Sequence, residues 1–151
     1  MTKPQPYPQL NLPRITLRAR HAAGRTEIWE PLRGCWIVLT PEEWVRQHVI
    51  ALLIRTCGIA AQRIVCEYPV PLNGQPQRAD IVAVDDHGQP WLMAECKAAG
   101  VAIDDSVLAQ AVRYNSVLGA RYVVLSNGLT HFCYEYRGGE YLPCSFDSLS
   151  L

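Results

Sequence analysis

Three β-rich runs in succession, each closed by a turn signal and bracketed by two capped helices, constrain this chain more than any other feature. Ile64 to Leu72 is rich in strand-forming residues and stops at Asn73-Gly74, a hairpin signal. Ala79-Asp80-Ile81-Val82-Ala83-Val84 follows and breaks at Asp85-Asp86-His87-Gly88. The third run is Trp91-Leu92-Met93-Ala94-Glu95-Cys96-Lys97. Upstream, Thr40-Pro41-Glu42-Glu43 is a helix start, with Thr40 as N-cap, Pro41 at the first helical position and Glu43 as the third residue of a capping box. That helix is expected to reach Thr56, closed by Gly58. Downstream, Asp104-Asp105-Ser106 caps a second helix that extends to Leu118 ahead of Gly119. Arg121 to Leu125 is a strand closed by Asn127-Gly128, and Thr130–Tyr136 with Glu140–Leu142 forms a last hairpin around Gly138-Gly139. The order is therefore helix, three strands, helix, strand.

The remaining chain is simpler. Residues 1–14 carry four prolines and read as a tail or extended arm. Residues 15–151 are expected to form one domain, opened by a hairpin over 15–35. In that hairpin Ile15–Ala19 and Thr26–Trp29 flank a turn containing Gly24, and Trp36–Leu39 leads into the first helix. At 151 residues and 49% apolar content the chain can bury a core of its own. The six cysteines are scattered without a Cys-x-x-Cys pair, the pattern of reduced thiols in a cytosolic protein. There is no signal-peptide pattern and no apolar stretch near the ~18 residues of a membrane span, so a cytoplasmic location is expected. The formal net charge of zero speaks against a chain that grips nucleic acid by charge alone, though not against a local basic cleft or help from a partner. Positive charge is carried by twelve arginines and two lysines, Lys3 and Lys97. The only internal lysine thus stands two residues after Glu95, where a compact ammonium with an adjustable pKa would serve a site.

The chemistry concentrates on Asp80, Glu95 and Lys97. Strand side chains alternate, so Glu95 and Lys97 project from one face, and a short hairpin brings Asp80 beside them. Glu95 interrupts an apolar run, and burying a carboxylate is costly without a cation. Two carboxylates completed by water and phosphate oxygens suit Mg2+ or Mn2+. The plainer alternatives stay open: solvated carboxylates on an exposed face, and Lys97 as their salt-bridge partner. On the first helix, Val45, Val49, Leu52 and Leu53 form a stripe with Glu42 near its centre, while Glu43 lies a quarter-turn away in a capping role. Glu42 is therefore the expected third acidic group. On the second helix Val107, Ala111, Tyr114 and Leu118 form the inner stripe, with Gln110 on its shoulder. Gln110 and Tyr114, four residues apart, can contact a phosphate or orient the attacking water.

These residues resemble the PD-(D/E)xK nuclease superfamily: Asp80, then Glu95-Cys96-Lys97 after a hairpin, within the order helix, three strands, helix, strand. The closer resemblance is to the N-terminal nuclease domain of type I restriction enzyme R subunits, in its short stand-alone form. It is carried by Leu39–Gln47, Arg78–Ile81, Glu95–Ala98, Gln110–Tyr114 and Ser126–Gly128. The resemblance implies an α/β (α+β) fold with a restriction-endonuclease-like core, a mixed central β-sheet flanked by helices, and an extra N-terminal β-hairpin. It also implies Mg2+- or Mn2+-dependent hydrolysis of DNA phosphodiesters, leaving 5′-phosphate and 3′-hydroxyl ends. Asp80 and Glu95, joined by Glu42, would bind the metal, and Lys97 and Gln110 would assist. Arg46, Arg78 and Arg113, neighbours of these residues, are expected on the DNA together with Tyr114. Such a nuclease would serve a restriction, defence or repair system. No Walker sequence is present, so a helicase, translocase or methyltransferase would act as a partner, and a homodimer would supply the two sites needed to cut both strands. The alternative is a catalytically silent module of the same fold that docks to such a partner.

Overall fold

Thr40 is extended (φ −116°, ψ 162°), and its hydroxyl accepts the amide of Glu43 at 3.0 Å, which starts helix α1 (Pro41–Arg55). The computed structural model of the protein describes residues 6–149. Asp104 opens helix α2 (Asp105–Leu118) in the same way, accepting the amides of Ser106 and Val107, and Gly119 closes it in the left-handed conformation (φ 68°). Between and after the helices lie β4 (Ile64–Leu72), β5 (Gln75–Val84), β6 (Pro90–Cys96), β7 (Tyr122–Ser126), β8 (His131–Arg137) and β9 (Glu140–Pro143). They form one six-stranded sheet in the order β4-β5-β6-β7-β8-β9. Only β6 and β7 run parallel, and α2 is the crossover that parallel neighbours require. The architecture is a mixed α+β sheet with two helices, as the resemblance implied.

The two helices cover opposite faces. Val45, Val49 and Leu53 of α1 pack with Ile81, Ala83, Leu92, Ala94 and Val124. Val107, Ala111 and Tyr114 of α2 pack with Ala79, Val82, Met93, Val123 and Leu125. On β5 this pattern holds a fault: Ala79 and Ile81 are two residues apart, yet they belong to opposite faces. The β4–β5 ladder is regular on either side and skips Glu67 and Asp80. Glu67 has φ 53°, a left-handed conformation unusual for a glutamate, and the strand turns over there. The break coincides with Asp80.

The N-terminal region differs from the expected hairpin over 15–35. It is a three-stranded antiparallel sheet of β1 (Ala19–Ala22), β2 (Arg25–Glu30) and β3 (Cys35–Val38). Ile15–Arg18 precede the first strand, and the apolar run that seemed to lead straight into the helix is its third. The reason lies at Glu30, whose carboxylate accepts the amides of Leu32 (3.0 Å) and Arg33 (2.7 Å) and so folds the turn that reverses the chain.

Residues 1–5 of the expected tail lie outside the described residues. From Tyr7 the segment is an arm fixed to the body: Tyr7 Oη donates to Leu39 O (3.0 Å), Trp44 Nε1 to Pro8 O (2.9 Å) and Asn11 N to Gly128 O (2.8 Å). Leu10 is 5% exposed and packs on Gly128. A β-carbon at Gly128 would lie 2.6 Å from Leu10 Cδ2, and its φ of 85° also favours glycine. Among the described residues no helix is long and apolar enough to cross a membrane. Leu10→Ala is expected to cost about 2–3 kcal/mol, the lower range for a buried leucine, in urea unfolding. An arm without structural weight would leave the midpoint unchanged.

Candidate active site

Asp80 and Glu95 face each other across β5 and β6, one step beyond the paired residues Ile81 and Ala94. Each carboxylate reaches the other strand's backbone. Asp80 Oδ2 accepts the Cys96 amide at 2.7 Å, and Glu95 Oε1 accepts the Asp80 amide at 3.3 Å. The two carboxyl groups lie close enough that each alters the other's titration. Glu95 is 4% exposed, and burial together with the Asp80 charge pushes its pKa up to about 9. Burial raises Asp80 as well, opposed by the Cys96 amide and the nearby Arg46 charge. Lys97 lies just past β6, its amide donating to Ser126 O at 2.9 Å. Its ammonium favours the ionised forms of Asp80, Glu95 and Glu42.

Behind this pair runs a chain of alternating charges. Glu30 binds Arg33 (Nε to Oε2, 3.0 Å), and Arg33 Nη2 donates to Glu43 Oε1 at 3.2 Å. Glu43 is bridged by Arg46 through both its carboxylate oxygens, and Arg46 Nη1 lies 4.0 Å from Asp80 Oδ1. Glu67 flanks the series, within 4.0 Å of Arg33, 3.8 Å of Arg46 and 3.7 Å of Arg78. Burial alone would raise Glu43, but hydrogen bonds from Arg46 and Gln47 and the two arginine charges hold it below the usual carboxylate range. Among the described residues no buried side-chain nitrogen or oxygen lacks a partner.

The structure separates the two first-helix glutamates differently from the stripe argument. Glu43, given only a capping role, is the buried one, and Glu42, placed on the core-facing stripe, is exposed. A buried glutamate is tolerated there because Arg33 and Arg46 neutralise it, a compensation that helical periodicity does not report. Glu42 nevertheless lies beside the pair: partial desolvation of its carboxyl on the side facing the protein, then the Asp80 charge, raises its pKa, while Lys97 and Arg46 lower it. Arg46, expected on phosphate, has a side chain only 11% exposed and committed to carboxylates. Arg78 is exposed on β5, and Arg113 is exposed on α2. Gln110 Nε2 donates to Tyr114 Oη, which donates to Gln77 Oε1, each at 3.1 Å. This relay meets β5 three residues before Asp80. Glu30, Arg33 and Glu67 were not singled out from the sequence. The spacing Glu30/Arg33 was available as a signal, whereas nothing in the sequence marks Glu67 as left-handed.

The carboxyl pair is short of positive charge, which raises both pKa values, an arrangement a hard cation would relieve. Among the described residues no three His, Cys, Asp or Glu side chains group closely enough to hold a metal. A cation here would draw further oxygens from water and substrate. A protein-family model described as Type I restriction enzyme R protein N terminus (HSDR_N) matches residues 41–144. No curated protein matches the chain.

Two outcomes follow from the electrostatics. Arg46→Ala, which removes the main cation facing buried Glu43 and a cation near Asp80, is expected to cost about 3 kcal/mol in chemical denaturation. An unfolded glutamate titrates near 4.5 and folded Glu95 near 9, so between these values the folded state keeps a proton the unfolded state has lost, and stability falls as pH rises. Glu95→Gln should therefore raise the melting temperature of metal-free protein at pH 8 and flatten its decline from pH 6 to 9. An unaltered slope in thermal melts would mean that Glu95 ionises as freely as in the unfolded chain.

Proposed function

This chain belongs to the type I restriction enzyme R protein N-terminal family, and from that premise we propose that it is a metal-dependent deoxyribonuclease of the PD-(D/E)xK type. The observation that carries this reading is the Asp80–Glu95 pair across β5 and β6, with Glu95 buried and Lys97 just past the end of β6. Asp80 and Glu95 would hold Mg2+ or Mn2+, which two carboxylates plus substrate oxygens suit. When bound, such an ion supplies Lewis-acid stabilisation of the phosphoryl group and a lowered pKa for water.

The chain's own residues have distinct tasks. The Cys96 amide fixes Asp80, and the Asp80 amide orients Glu95, so both carboxylates are set before substrate arrives. Lys97 neutralises charge that develops on the phosphate oxygens. Glu42, exposed and close to Asp80 and Lys97, completes the acidic side of the site and can take a proton from the attacking water. Arg78 and Arg113 present exposed guanidinium groups for DNA phosphates, and the Gln110–Tyr114–Gln77 relay holds the neighbouring part of β5. The partners proposed are DNA and the other subunits of a restriction complex.

Plasmid and oligonucleotide DNA incubated with the chain in Mg2+ or Mn2+ should be cleaved. Asp80→Ala and Lys97→Ala should each reduce cleavage by about 100-fold or more, the usual cost of losing a charge-stabilising group in the transition state. Calorimetry should detect metal binding that Asp80→Ala removes. Absence of both metal binding and cleavage would sink the proposal and leave a silent module that docks to a partner.

A further inference from the structure

The sheet β1–β3, ahead of the family-matched span, has two chemically different faces. Ile28, fully buried, marks the inner one. On the outer face Trp29 is paired in register with Trp36, and Arg20 with Glu27. Arg25 shares this face by strand alternation with Glu27 and Trp29. The guanidinium carbon of Arg18 lies 5.8 Å from the Trp29 ring centroid and 5.2 Å from that of Trp36, and the Arg20 carbon lies 4.2 Å from Trp36. The indoles meet edge to face at 5.7 Å. Arginine and tryptophan thus form a layered stack, held by cation–π attraction. All three arginines are exposed. Glu27 is the carboxylate that answers them, 2.9 Å from Arg20 and 3.9 Å from Arg25, so the face keeps an excess of positive charge.

A guanidinium stacked by one face on an indole still offers its in-plane N–H groups and its opposite face. The first suit phosphate oxygens, and the second suits an unpaired base. Beside the stack opens a cavity of about 360 Å³, with Arg18 and Trp29 on its wall, Leu32, Ile50 and Ile54 as apolar lining, Arg55 as a further cation, and Glu30, already paired with Arg33, as its one carboxylate. An apolar slot next to cations is what a base turned out of a single strand requires. We propose that this face binds single-stranded nucleic acid, with Arg18, Arg20 and Arg25 on phosphates and bases stacked on the Arg–Trp layer and in the cavity. Paired bases in a duplex would leave the stacking planes unused. An acidic peptide would satisfy the charges and leave both stack and cavity unfilled.

The test uses the full chain in EDTA, so that binding is read apart from any cleavage. Fluorescein-labelled oligo-dT and oligo-U, a duplex of equal length and an oligo-glutamate peptide are titrated by fluorescence anisotropy. A single strand should bind more tightly than the duplex or the peptide, and the DNA and RNA arms identify which single strand is preferred. Replacing Arg18, Arg20 and Arg25 together with alanine should weaken that binding tenfold or more and reduce the salt slope by about 2, three single-strand phosphates at about 0.7 each. Lysine at the three positions should restore part of the affinity, because it returns charge without the planar stack. Glu27→Gln, which removes the opposing carboxylate, should tighten binding severalfold. No single-strand binding by the wild-type chain overturns the proposal, as do equal affinity in the alanine variant, no tightening in Glu27→Gln, or a preference for the peptide. Failure of DNA cleavage in Mg2+ leaves this binding intact, so the two readings fail separately.

Discussion

Arg46 lies between Glu43 and Asp80 with little access to water, and the neighbouring structure is arranged around that desolvated charge. A buried guanidinium persists only when carboxylates surround it closely. Glu43 supplies two oxygens, Asp80 a third at longer range, and Glu67 approaches from β4. Glu43 in turn is held by Arg33, whose position follows from the Glu30 turn between β2 and β3. The N-terminal sheet is thereby tied by charge to α1 and through α1 to the strand that carries Asp80. A zero net charge conceals this order, since cations and anions alternate through the interior.

The same region carries the irregularity of the main sheet. Glu67 adopts a positive φ, a conformation that costs a non-glycine residue about 1–3 kcal/mol. Its consequence is that β4 and β5 exchange faces at Glu67 and Asp80. Below the break, Ala79 and Tyr68 belong with α2; above it, Ile81 and Cys66 belong with α1. Asp80 sits at the crossing point, where its carboxylate can reach the Cys96 amide on β6 while its other oxygen looks towards Arg46. A regular strand would have pointed the side chain squarely at one helix.

The pair that results is electrostatically incomplete. Arg46 belongs mainly to Glu43, and Lys97 is shared among three carboxylates, so burial still raises the pKa of both Asp80 and Glu95. Such a pair is suited to taking up a cation together with an anionic substrate, since each lowers the cost of the other. The chain belongs to the type I restriction enzyme R protein N-terminal family. The family match covers residues 41–144, so the Arg–Trp sheet lies outside it.

Both helices, their caps and β4 were legible in the sequence, because Thr40, Asp104, Gly119 and Asn73-Gly74 act on their immediate neighbours. The closeness of Asp80, Glu95 and Lys97 was legible too, since a short hairpin leaves few registers. The third N-terminal strand was missed because the turn that creates it depends on a side chain catching two amides. The arm over residues 6–14 looked free because its partners, Gly128 and Leu39, are far away in the chain. Glu42 was placed on the buried face, where Glu43 stands instead, because helical periodicity says nothing of whether a cation waits there. The sequence by itself determined the elements and the residue set, through local hydrogen bonds and alternation over a few positions. Only the tertiary structure decided which charges are paired, which face Asp80 turns to and what the arm covers, because burial and Coulomb energy depend on distances between residues that the chain separates.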